Sequence, residues 1–213
     1  MDIKEKIVRR VAQELQDGQL VNLGIGMPTL VADYLPEDVS VVLQSENGMV
    51  GLKGFDENNP DPNVTNAGAA LVGVDAYGAF FDSSYSFALI RGGHVDATVL
   101  GTLEVDQEGN IANYMIPGKL VPGMGGAMDL VTGAKKVIVA TTHTSKGSPK
   151  ILKKCTLPIT GCKSADMIVT ELAVFEVKED YLLLSEVASE SSVEEVLSLT
   201  EADVKLADDV KSF

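Results

Sequence analysis

Residues 20–44 read LVNLGIGMPTLVADYLPEDVSVVLQ, and this stretch decides the fold. Leu20 to Ile25 has the apolar, β-branched character of a strand that ends in Gly24-Ile25-Gly26. Pro28 stands where a helix can begin, because its fixed φ suits the first turn and its missing N–H costs nothing there. A short helix over Thr29 to Leu35 is then stopped by Pro36. Val39 to Gln44 is a second apolar run with the composition of a buried strand. Strand, glycine turn, helix and strand form the opening unit of a parallel α/β sheet.

The neighbouring segments extend that pattern. Ile3, Ile7, Val8, Val11 and Leu15 recur at helical spacing, which predicts a helix over 1–18 with Gly18 as its stop. Gly48 to Ala70, with its polar run at 56–63, predicts a loop. Tyr85 to Arg91 reads as a helix capped by Ser83 or Ser84 and ended by Gly92-Gly93. Val95 to Leu100 reads as a strand, Glu104 to Ala112 as a hairpin turning at 108–110, and Lys135 to Thr141 as a buried strand. Met167 to Val177 and Tyr181 to Val187 read as two strands joined at Lys178-Glu179-Asp180. Ser192 and Glu195 form the signature of a capping box for a helix to Leu199. The acidic tail from Thr200 reads as a short terminal helix, with Glu201, Asp203, Asp208 and Asp209 on a solvated face. The expected architecture is α/β, with an open, mainly parallel sheet and helices on both faces, in one domain over residues 1–213.

Composition narrows the function. The chain has 213 residues, 45% hydrophobic and 23% charged, which suits a folded protein and excludes a disordered one. Its formal net charge of −14 argues against a nucleic-acid partner, since phosphate neutralisation needs clustered Lys and Arg. No apolar run approaches a membrane span, and the N-terminus carries no signal-peptide pattern. With Cys155 and Cys162 in a spacing that matches no redox or metal motif, a cytoplasmic location and thiols without a structural role are expected. His94 and His143 lack a second ligand at metal spacing, so no metal site is expected. His94 reads as a polar turn residue, and His143 as a structural residue at a strand end. Of the 20 glycines, 15 lie between Gly48 and Gly133, which suggests that bare backbone is in use there.

Two constellations could carry chemistry. Glu46, in Ser45-Glu46-Asn47-Gly48, follows a parallel strand at the edge where open α/β sheets place their ligands. It is either a functional carboxylate, with Gly48 and Gly51 giving a substrate room to approach, or a solvated loop residue. Gly123-Met124-Gly125-Gly126-Ala127-Met128-Asp129 precedes a short helix. Its backbone N–H groups could meet an anion, or it could be a tight structural turn.

Taken together, these segments resemble the β subunit of family I coenzyme A transferases. Ser45-Glu46-Asn47-Gly48 is similar to that family's active-site signature, and residues 21–28, 82–94, 113–119, 123–130 and 147–158 match its other segments in order. The similarity runs from about residue 3 to about residue 200. It implies the coenzyme A transferase/NagB-RpiA-like fold and a mechanism in which Glu46 is the nucleophile and passes through a glutamyl-CoA thioester. By resemblance, Gly125, Gly126 and Ala127 form the oxyanion and substrate-binding loop, with the Gly126 and Ala127 N–H groups as donors, and Asn22 orients the glutamate. Gly24, Gly26, Asn47, Gly48 and Lys119 are candidate CoA contacts. No cofactor is expected to be held permanently, and coenzyme A is a substrate.

The resemblance further implies a separate α subunit in an α₂β₂ heterotetramer, and short-chain carboxylic acids as partners of acyl-CoA. Ala69 stands where succinyl-using members commonly have Lys. That tilts the expected exchange toward acetyl-CoA or butyryl-CoA with acetoacetate, in fatty-acid or ketone-body metabolism. The alternatives are the corresponding subunit of a succinyl-CoA:3-oxoacid CoA-transferase, an acyl-CoA hydrolase of the same fold, and a non-catalytic acyl-CoA sensor. A sugar-phosphate isomerase is also weighed, with Lys119 and Asp129 as its acid–base pair.

Overall fold

Val137-Ile138-Val139-Ala140 is buried at every position, and its side chains alternate between two separate apolar clusters. Val137 and Val139 face one cluster, and Ile138 and Ala140 face the other. A strand whose residues are apolar on both faces must be covered on both faces, and that requirement organises the molecule. The computed structural model describes residues 2–55, 57, 60–119, 121 and 123–213. Asp56, Asn58 and Asn59 of the polar run, and Leu120 and Pro122 of the Gly-rich loop, lie outside the described residues.

Helix α1 (Ile3–Ala12) leads to β1 (Leu20–Leu23), a 3₁₀ helix (Met27–Tyr34), β2 (Val42–Ser45), β3 (Met49–Lys53) and β4 (Gly73–Phe80). Helix α2 (Ser83–Arg91) is followed by β5 (Ala97–Leu100) and the hairpin β6 (Glu104–Asp106) and β7 (Ile111–Ala112). Helix α3 (Ala127–Gly133) precedes β8 (Val137–Ala140) and the short strands β9 (Thr144–Ser145), β10 (Ser148–Pro149) and β11 (Ile151–Leu152). The chain closes with β12 (Met167–Val169), β13 (Ala173–Val177), β14 (Leu182–Val187), α4 (Val193–Ser198) and β15 (Val204–Ser212).

The main sheet has ten strands in the order β15-β14-β13-β12-β8-β5-β1-β2-β3-β4. The five from β12 to β2 are mutually parallel. Antiparallel pairs flank them on both sides, and β15 runs parallel to β14 at one edge. Helices α2, α3 and α4 pack on one face through Ile90, Leu130 and Val196. Helix α1 and the 3₁₀ helix cover the other face through Ile7, Val8, Val11 and Val31. The expected α/β sheet with helices on both faces is therefore present.

Several local expectations are corrected. The helix expected over 1–18 ends at Ala12, and Gly18, with φ of 76°, forms the turn into β1 instead. The 29–35 helix is a 3₁₀ helix that begins at Met27. Asp82, not a serine, caps α2: its Oδ1 accepts the Tyr85 N–H at 2.9 Å.

The loop expected over 48–70 holds β3, and its glycines mark close backbone approach rather than disorder of the strand. A Cβ on Gly51 would lie 2.7 Å from the Gly78 Cα, beside the register shift between Val50 and Leu52. The single strand read over 167–177 is two strands. Thr170 turns the chain, its Oγ1 accepting the N–H groups of Leu172 and Ala173, a turn that no Gly or Pro announces.

The tail is a strand, β15, not a helix. Val204 and Val210 pack against the core while Lys205, Asp208, Asp209 and Lys211 lie on an exposed edge, where charge discourages pairing with another sheet. Ser192 does cap α4, accepting the Glu195 N–H at 3.2 Å. The Glu195 carboxylate turns to the Ser191 hydroxyl instead of closing the box.

His143 is fully buried in this scaffold. Its Nδ1 lies 3.0 Å from Thr170 Oγ1 and its Nε2 2.9 Å from Thr200 Oγ1. Burial pushes its pKa down to about 4, so the imidazole stays neutral in the fold. Unfolded His143 takes a proton near pH 6.5, and the folded one resists it until about pH 4. Stability therefore falls as pH drops through that window. The loss from this residue is on the order of 3 kcal/mol by pH 4. Urea unfolding followed from pH 7 to pH 4 should show a steeper loss for the wild type than for His143→Gln. Parallel pH profiles would contradict the assignment.

Candidate active site

Strands β1 and β2 are adjacent and parallel, so their C-terminal ends open at the same edge of the sheet. Asn22 and Gln44 stand opposite each other in that register, and both are buried. The Asn22 amide Nδ2 donates to Gln44 Oε1 at 2.7 Å and to the Gln44 carbonyl at 3.2 Å. It also reaches Glu46 Oε2 at 3.4 Å. Gln44 Nε2 in turn donates to Ser86 Oγ on α2 at 2.9 Å. A buried amide must satisfy its donors, so this chain fixes the Asn22 head group toward Glu46.

Glu46 occupies the tip of the β2–β3 hairpin, half-buried. Among the described residues no Lys or Arg comes within 4.0 Å of its carboxylate, which is therefore not held in a structural ion pair. Gly48 closes the turn with φ of 122°, and a Cβ there would stand 2.1 Å from the Phe81 carbonyl oxygen. The bare backbone at Gly48 and Gly51 thus serves packing against Phe81 and Gly78, not clearance around Glu46 as expected from the sequence.

The Gly-rich loop meets Glu46 from the other side. A Cβ on Gly126 would lie 2.9 Å from the Glu46 Cγ and 3.2 Å from its Cδ and Oε1. Gly126 is thus the residue whose bareness admits the carboxylate. Among the described residues its N–H has no acceptor, whereas the Ala127 N–H donates to the Met124 carbonyl at 3.1 Å. Of the two donors expected to face an oxyanion, that of Ala127 closes a turn instead.

A cavity of about 760 Å³ brings together Asn22, Gly24, Glu46, Gly125, Gly126 and Ala127. The other candidates stand outside its wall. Asn47 Nδ2 donates to the Thr65 carbonyl at 2.8 Å and so anchors the 65–70 turn. Gly26 accepts the Thr29 N–H and hydroxyl at the mouth of the 3₁₀ helix. Lys119 lies exposed in the turn after Ile116. Asp129 pairs with Arg91 at 2.7 Å, so the Lys119/Asp129 acid–base set of an isomerase is not assembled. Ala69, with φ of 61°, lies exposed at the tip of a turn and does not line the cavity.

The reading from sequence missed Gln44, Ser86 and Lys53, the last of which lines the cavity. A polar Gln44 at the end of an otherwise apolar strand was the available signal. Cys155 is half-buried, and burial together with Asp106 and Glu104 pushes its thiol up, away from reactivity. Among the described residues no group of three or more His, Cys, Asp and Glu could hold a metal, and no helix is long and apolar enough to cross a membrane.

A strand-end carboxylate thus meets a bare glycine loop in the wall of one cavity. The coenzyme A transferase family model matches residues 4–199. The chain is 60% identical to the beta chain of the acetate CoA-transferase of Haemophilus influenzae, over all of this chain and 96% of that one. It is 46% identical to the B component of the probable succinyl-CoA:3-ketoacid coenzyme A transferase of Bacillus subtilis, over 98% of each. The crystal structure of the acyl-CoA transferase YdiF from Escherichia coli O157:H7 superposes with a TM-score of 0.80 at 24% identity, a likeness of fold. The present chain is wholly covered there but spans only 43% of that longer chain. This protein belongs to the coenzyme A transferase family.

The Gly126 contact yields a direct test. Gly126→Ala should lower kcat by about 10²-fold through displacement of Glu46, with little change in unfolding free energy. Gly125→Ala adds a Cβ with nothing within 4 Å and should cost only the backbone strain of its φ of 54°, about 1–2 kcal/mol of stability. Equal catalytic losses in the two variants would refute the contact.

Proposed function

We propose that this chain is the glutamate-bearing β subunit of a transferase that moves CoA between a short-chain acyl-CoA, acetyl-CoA or butyryl-CoA, and acetoacetate. The observation that carries the reading is the Glu46 carboxylate lying against the bare backbone of Gly126, with the Asn22 amide at 3.4 Å. A carboxylate oxygen of Glu46 attacks the thioester carbonyl. The tetrahedral intermediate expels CoA thiolate and leaves a mixed anhydride. The thiolate then attacks the glutamyl carbonyl, releasing the first acid as its carboxylate and forming glutamyl-CoA. An incoming acid carboxylate reverses the two steps and departs as the new thioester.

Each addition builds an oxyanion. The Gly126 N–H is the donor best supported for it. One such donor is worth about 3 kcal/mol of barrier. Water would hydrolyse the anhydride, so the cavity must be closed during turnover. Ile25, which lines the cavity, is 69% exposed, and this uncovered apolar side chain supports a second subunit as the missing wall. The relatives are themselves named as beta or B subunits, and YdiF is a longer chain. Both facts support a separate α subunit, in an α₂β₂ assembly by family resemblance. The free thiols of Cys155 and Cys162 support a cytoplasmic location.

The relative at 60% identity favours acetate over succinate as the acid exchanged. The relative at 46% identity supports the succinyl-CoA:3-ketoacid reading as the second choice. The test uses the chain co-purified with its partner subunit. Acetyl-CoA should lose its thioester only when acetoacetate is supplied, and Glu46→Gln should lower that rate by about 10³-fold or more. Equal loss with and without the acid would point to a hydrolase, and full activity in Glu46→Gln would remove Glu46 from the chemistry. Faster transfer from succinyl-CoA would select the second reading.

A further inference from the structure

Lys53 is the last residue of β3, and with its neighbours Leu52 and Gly54 it lines the cavity that holds Glu46. It is the only Lys or Arg in that wall among the described residues, against two carboxylates, Glu46 and Asp33. Its partner in register is Gly73 on β4. A Cβ on Gly73 would stand 3.0 Å from the Lys53 Cγ and 3.2 Å from its Cε. The lysine stem therefore lies lengthwise over bare backbone, a bed that a side chain at position 73 would fill. Gly73 N–H donates to the Gly54 carbonyl at 3.2 Å, which holds that strand end together. Among the described residues the ammonium has neither an ion-pair nor a hydrogen-bond partner.

The chain carries a net charge of −14, so an anionic substrate gains nothing from its overall field. A cation must act locally. We propose that Lys53 is a substrate-binding residue that pairs with an oxyanion group carried by the substrate away from the reacting carbonyl. Its compact ammonium on a flexible stem suits a phosphate of CoA or the second carboxylate of a dicarboxylic acid. The role rests on the transferase reading of the same cavity.

Two measurements test it on the complex of the chain with its partner subunit. In turnover, Lys53→Met should raise KM by about 5–10-fold for the substrate that bears the anion, with the loss falling on KM rather than kcat, and Lys53→Arg should restore most of it. In the Glu46→Gln background, calorimetric binding of CoA and of succinate needs no turnover. Weaker CoA binding in Lys53→Met with succinate unchanged assigns the phosphate, and the reverse assigns the carboxylate. The wild-type affinity for that ligand should also fall more steeply with salt than the variant's. Unchanged binding of both ligands, or a loss that Lys53→Arg does not restore, overturns the proposal. If the wild type transfers CoA and Lys53→Met is indistinguishable from it, only the Lys53 assignment fails. If the wild type transfers nothing while Lys53→Met still weakens binding, the transferase reading fails and Lys53 stands.

Discussion

One steric fact governs the site: the Glu46 side chain and the backbone of residue 126 occupy adjoining space, with no room for a Cβ between them. Two segments 80 residues apart must therefore be held to within a few tenths of an ångström of each other. Helix α2 does this for both. Gly48 in the Glu46 turn packs on the carbonyl of Phe81, just before the helix begins. Ser86 receives the Gln44 amide from below. Arg91 pairs with Asp129 on α3, whose first turn carries the Gly-rich loop, and Gly133 at the end of α3 lies where a Cβ would be 2.3 Å from the Ile90 carbonyl. Glu46 and the loop that faces it are thus both anchored on one helix.

The electrostatics follow from the same arrangement. Glu46 has only the long contact from Asn22 as a donor among the described side chains, and no cation beside it. Asn22 owes its own position to Gln44, which Ser86 on α2 holds in turn. His143, by contrast, spends both ring nitrogens on threonine hydroxyls inside the scaffold and belongs to the fold rather than the chemistry.

Much of the architecture was legible because burial on both faces leaves continuous apolar runs. Val137 to Ala140 and Ala97 to Leu100 announce central strands, and the Leu20 to Gln44 unit announces their parallel order. What escaped reading has particular causes. Thr170 reverses the chain with a hydroxyl inside an apolar run, and period alone cannot reveal that turn. The acidic tail has the look of a solvated terminal helix, yet Val204 and Val210 bind it to the core as an edge strand. Glycines 51 and 78 look like breakers and are in fact the contact between two strands. At the site, Glu46 and the Gly-rich loop could be named from the sequence. The Gln44–Ser86 tether and the Lys53–Gly73 bed depend on contacts between distant segments, which no local pattern encodes.

In the proposed reaction Glu46 carries CoA covalently. The most direct measurement is mass spectrometry of the chain, digested after brief incubation of its complex with acetyl-CoA and no acceptor acid. A CoA adduct is expected on the peptide containing Glu46, lost on treatment with hydroxylamine and absent in Glu46→Gln. An adduct on any other residue, or none while transfer proceeds at full rate, would contradict it.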